Sequence, residues 1–149
     1  MKRGNLALTG AYDESQLQVG TIRLEAERVL NIRLEGDVVM AKVSQNFTMF
    51  AGETKNLIVT VTEEGKGLNL TGSSIRWSLR KSPFDSTEIL IKEIPLDIEL
   101  VDGGEPNDFM IQLEPEDTMD LNGNYYHEST MIDSSGNKSV LLTGRATFK

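Results

Sequence analysis

NGNYYHESTMIDSSGNKSVLLTGRATF, residues Asn122–Phe148, is the stretch that decides the fold. Two runs, Asn124–Ile132 and Lys138–Phe148, alternate apolar and polar side chains and are the longest strand candidates in the chain. Between them DSSGN (Asp133–Asn137) supplies Ser, Gly and Asn, the residues that relieve the backbone in a tight turn. A long antiparallel hairpin is therefore predicted to close the chain.

The same pattern recurs upstream. DFMIQL puts Phe109, Ile111 and Leu113 on one face, and PEDTMDL after it is expected to form one helical turn, with Pro115 at a first helical position and acids beside it. LDIEL is a strand followed by a wide polar turn, and TEILIKEI is a strand in which Ile89 and Ile91 alternate with Leu90 and Lys92. SSIRWSLR directs Ile75, Trp77 and Leu79 inward and Arg76, Ser78 and Arg80 outward, as a sheet with one solvated face requires. TKNLIVTVTEEGKG places Leu57, Val59 and Val61 opposite Asn56, Ile58 and Thr60, and NFTMF is a short strand before it. About seven short strands separated by turns, without helices between them, predict an all-β, two-sheet antiparallel sandwich.

Composition narrows the function. The chain has 149 residues, enough to bury a real core, and its lack of cysteine removes disulfides, thiolate metal sites and Cys nucleophiles. Fifteen Lys plus Arg against 23 Asp plus Glu give a net charge of −8, which repels phosphate backbones and argues against nucleic-acid binding. No run approaches the ~20 apolar residues of a membrane helix. MKRGNLALTG has no apolar stretch of the length a secretory signal needs, so synthesis in the cytosol is expected.

The first 44 residues read differently from residues 45–149. Met1–Val19 lacks a sustained period, TIRLEA alternates Ile22 and Leu24 with Arg23 and Glu25, and Leu30–Val43 reads as a hairpin turning at Glu35, Gly36 and Asp37. A helix over Glu14–Leu30 is the competing reading, opposed by Gly20, Thr21 and Ile22. Ile22, Leu24, Leu30, Ile32 and Leu34 are too few to form a core alone. They must be covered either by the sandwich of the same chain or by a neighbouring subunit through strand addition.

Candidate sites are sparse. Trp77 reads as a core aromatic, together with Leu57, Val59, Ile75, Phe109 and Ile111, and Tyr125 has the spacing of a tyrosine corner. His127, the sole histidine, reads as a packed core residue, and Glu114, Glu116, Asp117 and Asp120 as a solvated helical corner, with a calcium site as the weaker alternative. No spacing suggests a Ser-His-Asp triad or a phosphate-cradling loop, so the expectation is no enzyme activity, no metal and no cofactor.

Four motifs carry a resemblance when taken in order: GETKNLIVTVTEEG, LNLTGSSIRWSLRKS, LEPEDTMDLNGNYYHE and SSGNKSVLLTGRATF. The series resembles the immunoglobulin-like domain of bacteriophage virion proteins, notably the N-terminal domain of baseplate upper proteins and related tail or head-attached subunits. Asn69 stands where that pattern has Asp in a DLTGA-like loop, Gly123, Asn124 and Tyr125 form its Gly-x-Tyr element, and residues 1–44 lie outside the match. The resemblance implies an Ig-like sandwich in a virion, with other virion proteins or copies of itself as partners and residues 1–44 as an assembly arm. An Ig-like module that binds a host-surface glycan or protein through its loops is the alternative.

Overall fold

The computed structural model describes residues 20–29, 42–93, 98–100 and 107–149. Alternation along these segments is resolved into ten strands and one helical turn: β1 (Gly20–Glu27), β2 (Phe47–Met49), β3 (Lys55–Glu63), β4 (Lys66–Gly67), β5 (Ser74–Arg80), β6 (Glu88–Glu93), β7 (Ile98–Leu100), β8 (Asp108–Leu113), α1 (Pro115–Thr118), β9 (Gly123–Ile132) and β10 (Lys138–Phe148). They form an all-β sandwich. One sheet has the order β1-β3-β8-β7, with β4 hairpinned onto β3, and the other has the order β2-β10-β9-β5-β6.

Apolar side chains spaced two apart face the space between the sheets. Leu57 and Val59 of β3 lie opposite Ile111 and Phe109 of β8 in the first sheet, Val61 joins them in the core, and Ile75, Trp77 and Leu79 of β5 come from the second. Leu57, Val59, Ile75, Trp77, Phe109, Ile111 and Tyr125 all belong to this one buried cluster. Most pairings are antiparallel, but each sheet carries a parallel pair at one edge, β1 with β3 and β2 with β10.

The parallel pair at β1 settles the position of one segment assigned by sequence to the arm. Gly20–Glu27 runs in register along Lys55–Thr62, and Leu24 and Ala26 are buried in the core while Ile22 packs against it. The sandwich therefore begins before residue 45 and covers Ile22 and Leu24 itself. Parallel strands cannot be joined by a tight turn, so an extended sequence before a polar stretch gave no local sign of this partner. Leu30, Ile32 and Leu34, with most of the hairpin expected over Leu30–Val43, lie outside the described residues.

Strand β6 also has an orientation that pattern alone did not fix. Its register on β5 sets Leu79 opposite Leu90 and Trp77 opposite Lys92, so Leu90 and Lys92 face inward, while Ile89 and Ile91 are exposed. Lys92, 9% exposed, is satisfied by Asp117 of α1, with Nζ donating to Oδ2 at 2.8 Å. An inward-facing lysine and a register shift between Leu79 and Arg80 blunt this sheet edge against pairing with other strands. Among the described residues no helix is long and apolar enough to cross a membrane.

Candidate functional site

The outer face of the β2-β10-β9-β5-β6 sheet carries a groove of about 610 Å3 built from β5, β6, β9 and β10. Period-two alternation forces Arg76 and Arg80 onto this face once Trp77 and Leu79 are inside. Arg76 donates both guanidinium arms to Glu88 of β6, with Nη2 to Oε1 at 2.7 Å. That pairing holds the Glu88 carboxyl below the usual carboxylate range and raises the Arg76 guanidinium. Arg80 donates to Glu128 of β9 at 2.8 Å and lies 5.3 Å from the centre of the Tyr126 ring. The Tyr126 hydroxyl donates to the second Glu128 oxygen at 3.1 Å, and burial, reinforced by the Glu128 charge, pushes the phenol up to about 12. Ile132 in the groove and Val140 nearby on the same face remain about two-fifths exposed, at 43% and 41%.

Beneath this face lies a buried polar relay. Trp77 Nε1–H donates to His127 Nδ1 at 3.0 Å, and His127 Nε2 is 2.6 Å from the carbonyl oxygen of Gln45. The first bond makes Nδ1 the acceptor, so the proton sits on Nε2 and is donated to Gln45. Burial lowers the His127 pKa to about 4, against the opposing pull of the Gln45 carbonyl, and the ring is neutral near pH 7. Gly144 makes this approach possible, because a Cβ there would lie 2.2 Å from the Gln45 oxygen and 2.8 Å from His127 Nε2. The segment entering β2 is thus held to β9 through His127 and to β10 through the Gln45 N–H, which donates to the Thr143 carbonyl at 3.0 Å, with Ser44 at a φ of 58°, a left-handed conformation costly for a residue with a side chain.

The two sheets are tied at one end by Arg28, which follows β1. It donates to both Glu63 oxygens at 2.9 Å and to Asp133 Oδ2 at 3.0 Å, joining β3 to the β9–β10 turn. Asp133 Oδ1 in turn accepts the backbone N–H of Ser135 and of Asn137, shaping DSSGN. At the other end the Tyr125 hydroxyl accepts the backbone N–H of Asn122 at 3.2 Å, three residues upstream. In the acidic corner, Asp117 accepts the Glu114 N–H and the Lys92 ammonium, and Thr118 accepts the Gly52 N–H at 2.9 Å. Among the described residues no group of three His, Cys, Asp or Glu is placed to hold a metal ion.

Sequence reasoning did not single out the Arg80–Tyr126–Glu128 cluster or the Gln45 carbonyl. Alternation did predict that Arg80 points outward, but its partner on β9 depends on a register across 46 residues, Arg80 to Tyr126. Two aromatic rings stand out from the surface, Phe50 in the turn after β2 at 61% exposure and Phe84 in the loop after β5 at 96%.

No protein-family model matches the sequence, and no curated protein sequence matches it. The fold does have a counterpart. The N-terminal domain of phage TP901-1 ORF48 is similar over 88% of this chain and 99% of that one, with a TM-score of 0.52 and 6% identity. A multicopper oxidase, 7% identical with a TM-score of 0.34, spans 86% of this chain and 44% of its own. Plasmodium falciparum protein Pf12p, 13% identical with a TM-score of 0.30, spans 86% and 50%. At such identities the likeness to ORF48 is one of fold, and it lies with a phage protein's N-terminal domain, the kind of domain that the four motifs resemble.

Proposed function

We propose that this chain is a non-enzymatic structural component of a bacteriophage virion, a tail, baseplate, neck or capsid-surface subunit that assembles with other virion proteins and with copies of itself. The observation that carries the reading is the fold likeness to the phage ORF48 domain, which extends over nearly the whole of that domain. The mixed-charge outer face with exposed Ile132 and Val140 supports a contact role. Because β1 is bound into the sandwich, the proposed contact with a neighbour falls to the rest of residues 1–44. Mass spectrometry of density-purified particles tests the reading. The chain is expected in fixed proportion to the other particle proteins, and its presence in the lysate but absence from particles would refute it. Truncation of residues 1–19 is expected to leave the melting temperature unchanged and to abolish incorporation.

A host-surface recognition module is the second reading, favoured by one observation. The strand registers bring the turn carrying Phe50 and the loop carrying Phe84 to the same end of the sandwich, where both rings are exposed. Loss of host-cell adsorption by Phe84→Ala particles of normal composition would favour it.

A further inference from the structure

A second groove, of about 450 Å3, crosses β9 and β10 beside the β5–β6 loop, and its charge is opposite to that of the chain. The chain carries −8, yet among the described residues the charged groups lining this groove are Lys81 and Arg145, with no carboxylate beside them. Among the described residues neither cation has an ion-pair partner, and the Lys81 ammonium rests 5.3 Å from the centre of the Tyr125 ring. In the larger groove, by contrast, Arg76 and Arg80 are each matched by a glutamate.

The neutral lining is rich in donors. Asn46 Oδ1 accepts the Arg145 backbone N–H at 2.8 Å, and Asn124 Oδ1 accepts the Thr147 hydroxyl at 2.8 Å. Those bonds fix the amide orientations and leave two amino groups, which can only donate, without an acceptor among the described residues. Arg145 lies on β10 opposite Tyr126, whereas Lys81 follows β5 on the other side of β9. Two strand spacings, about 10 Å, separate their backbones. That span suits several carboxylates carried on one chain better than a single compact anion. A nucleic acid would also bring its phosphates against the acidic surroundings, while a short acidic segment confines its charge to the groove.

We infer that this groove is a docking site for an acidic polypeptide segment, bound by Lys81, Arg145 and the amides of Asn46 and Asn124. That a neighbouring subunit presents the segment rests on the virion reading, whereas the ligand class rests on the groove. Fluorescence anisotropy of a labelled short oligoglutamate peptide, titrated with the full chain, tests the inference. Saturable binding is expected, weakened about tenfold by Lys81→Gln with Arg145→Gln, retained by K81R with R145K, and lowered by salt. The pair Arg23→Gln with Lys138→Gln, which removes equal charge elsewhere, is expected to bind as the parent does. A thermal melt of each variant separates lost binding from lost fold. No saturable binding, equal loss in the two neutralised pairs, no loss in the first pair, or tighter binding of polyphosphate or polygalacturonate than of the peptide would each overturn the inference. No particle is used, so failure here leaves incorporation into virions as a separate question, and absence from virions leaves the measured peptide affinity intact.

Discussion

The buried His127 gives the protein a pH dependence with a definite sign and window. In the unfolded chain a histidine takes a proton below its ordinary value of 6.5, whereas in the fold burial holds His127 neutral down to about 4. As pH falls between those values the unfolded state binds a proton that the native state does not, so stability is lost. The contribution is fully present above pH 6.5 and gone below about pH 4. With 1.36 kcal/mol per unit of difference, the loss across the window is about 3 kcal/mol, a large share of a typical domain's stability. Protonation would also set an Nδ1–H against the Trp77 Nε1–H that now donates to that atom. Glu88 and Asp133, whose pKa values are lowered, contribute stability that is likewise lost as pH falls, but below their unfolded values of 4.5 and 3.8. The interval from pH 6.5 to pH 5 therefore isolates the histidine. Urea unfolding followed by the fluorescence of Trp77, the sole tryptophan, reads it directly. The parent should lose stability steadily across that interval, and His127→Gln should be less stable throughout but flat. A flat parent curve, or the same slope in the variant, would refute the assignment of a neutral buried imidazole.

Three further outcomes follow from the packing. Trp77→Ala removes a fully buried indole and leaves His127 Nδ1 without its donor, and should cost ~3–5 kcal/mol in urea unfolding followed by far-UV circular dichroism, which needs no tryptophan. Gly144→Ala cannot fit without moving the Gln45 backbone, so its melting temperature should fall by several degrees, whereas Gly136→Ala, in open space, should show only the smaller penalty of its positive φ. Deletion of residues 1–44 takes away β1 and Arg28, exposing the β3 edge and the side of the core that Leu24 covers; the product should aggregate or melt far below the parent, and a soluble fragment with parental stability would show that β1 is dispensable.

Much of the sandwich was legible because its signals are local. The DSSGN turn, the Pro115 start of α1 and the inward sets Leu57–Val59–Val61 and Ile75–Trp77–Leu79 depend on neighbours within a few residues, which period and turn chemistry report. The burial of Tyr125 and the placing of His127 on its face follow from the same period of two. What period cannot report is which strand lies beside which. The parallel partner of β1 is 35 residues away, as Gly20 pairs with Lys55, and nothing in TIRLEA distinguishes an edge strand of its own sandwich from an arm reaching a neighbour. The inward face of β6 was equally hidden, since Ile-Leu-Ile-Lys alternates acceptably in either sense until the register with β5 and the Asp117 carboxylate favour Lys92 inside. The His127 relay and the basic groove exist only where three or more distant segments meet. Local sequence thus determined the strands, turns and core faces, because these answer to backbone sterics and burial; tertiary structure alone decided edge pairing, the neutral histidine and the unpaired cations, because register, desolvation and charge pairing are properties of segments brought together.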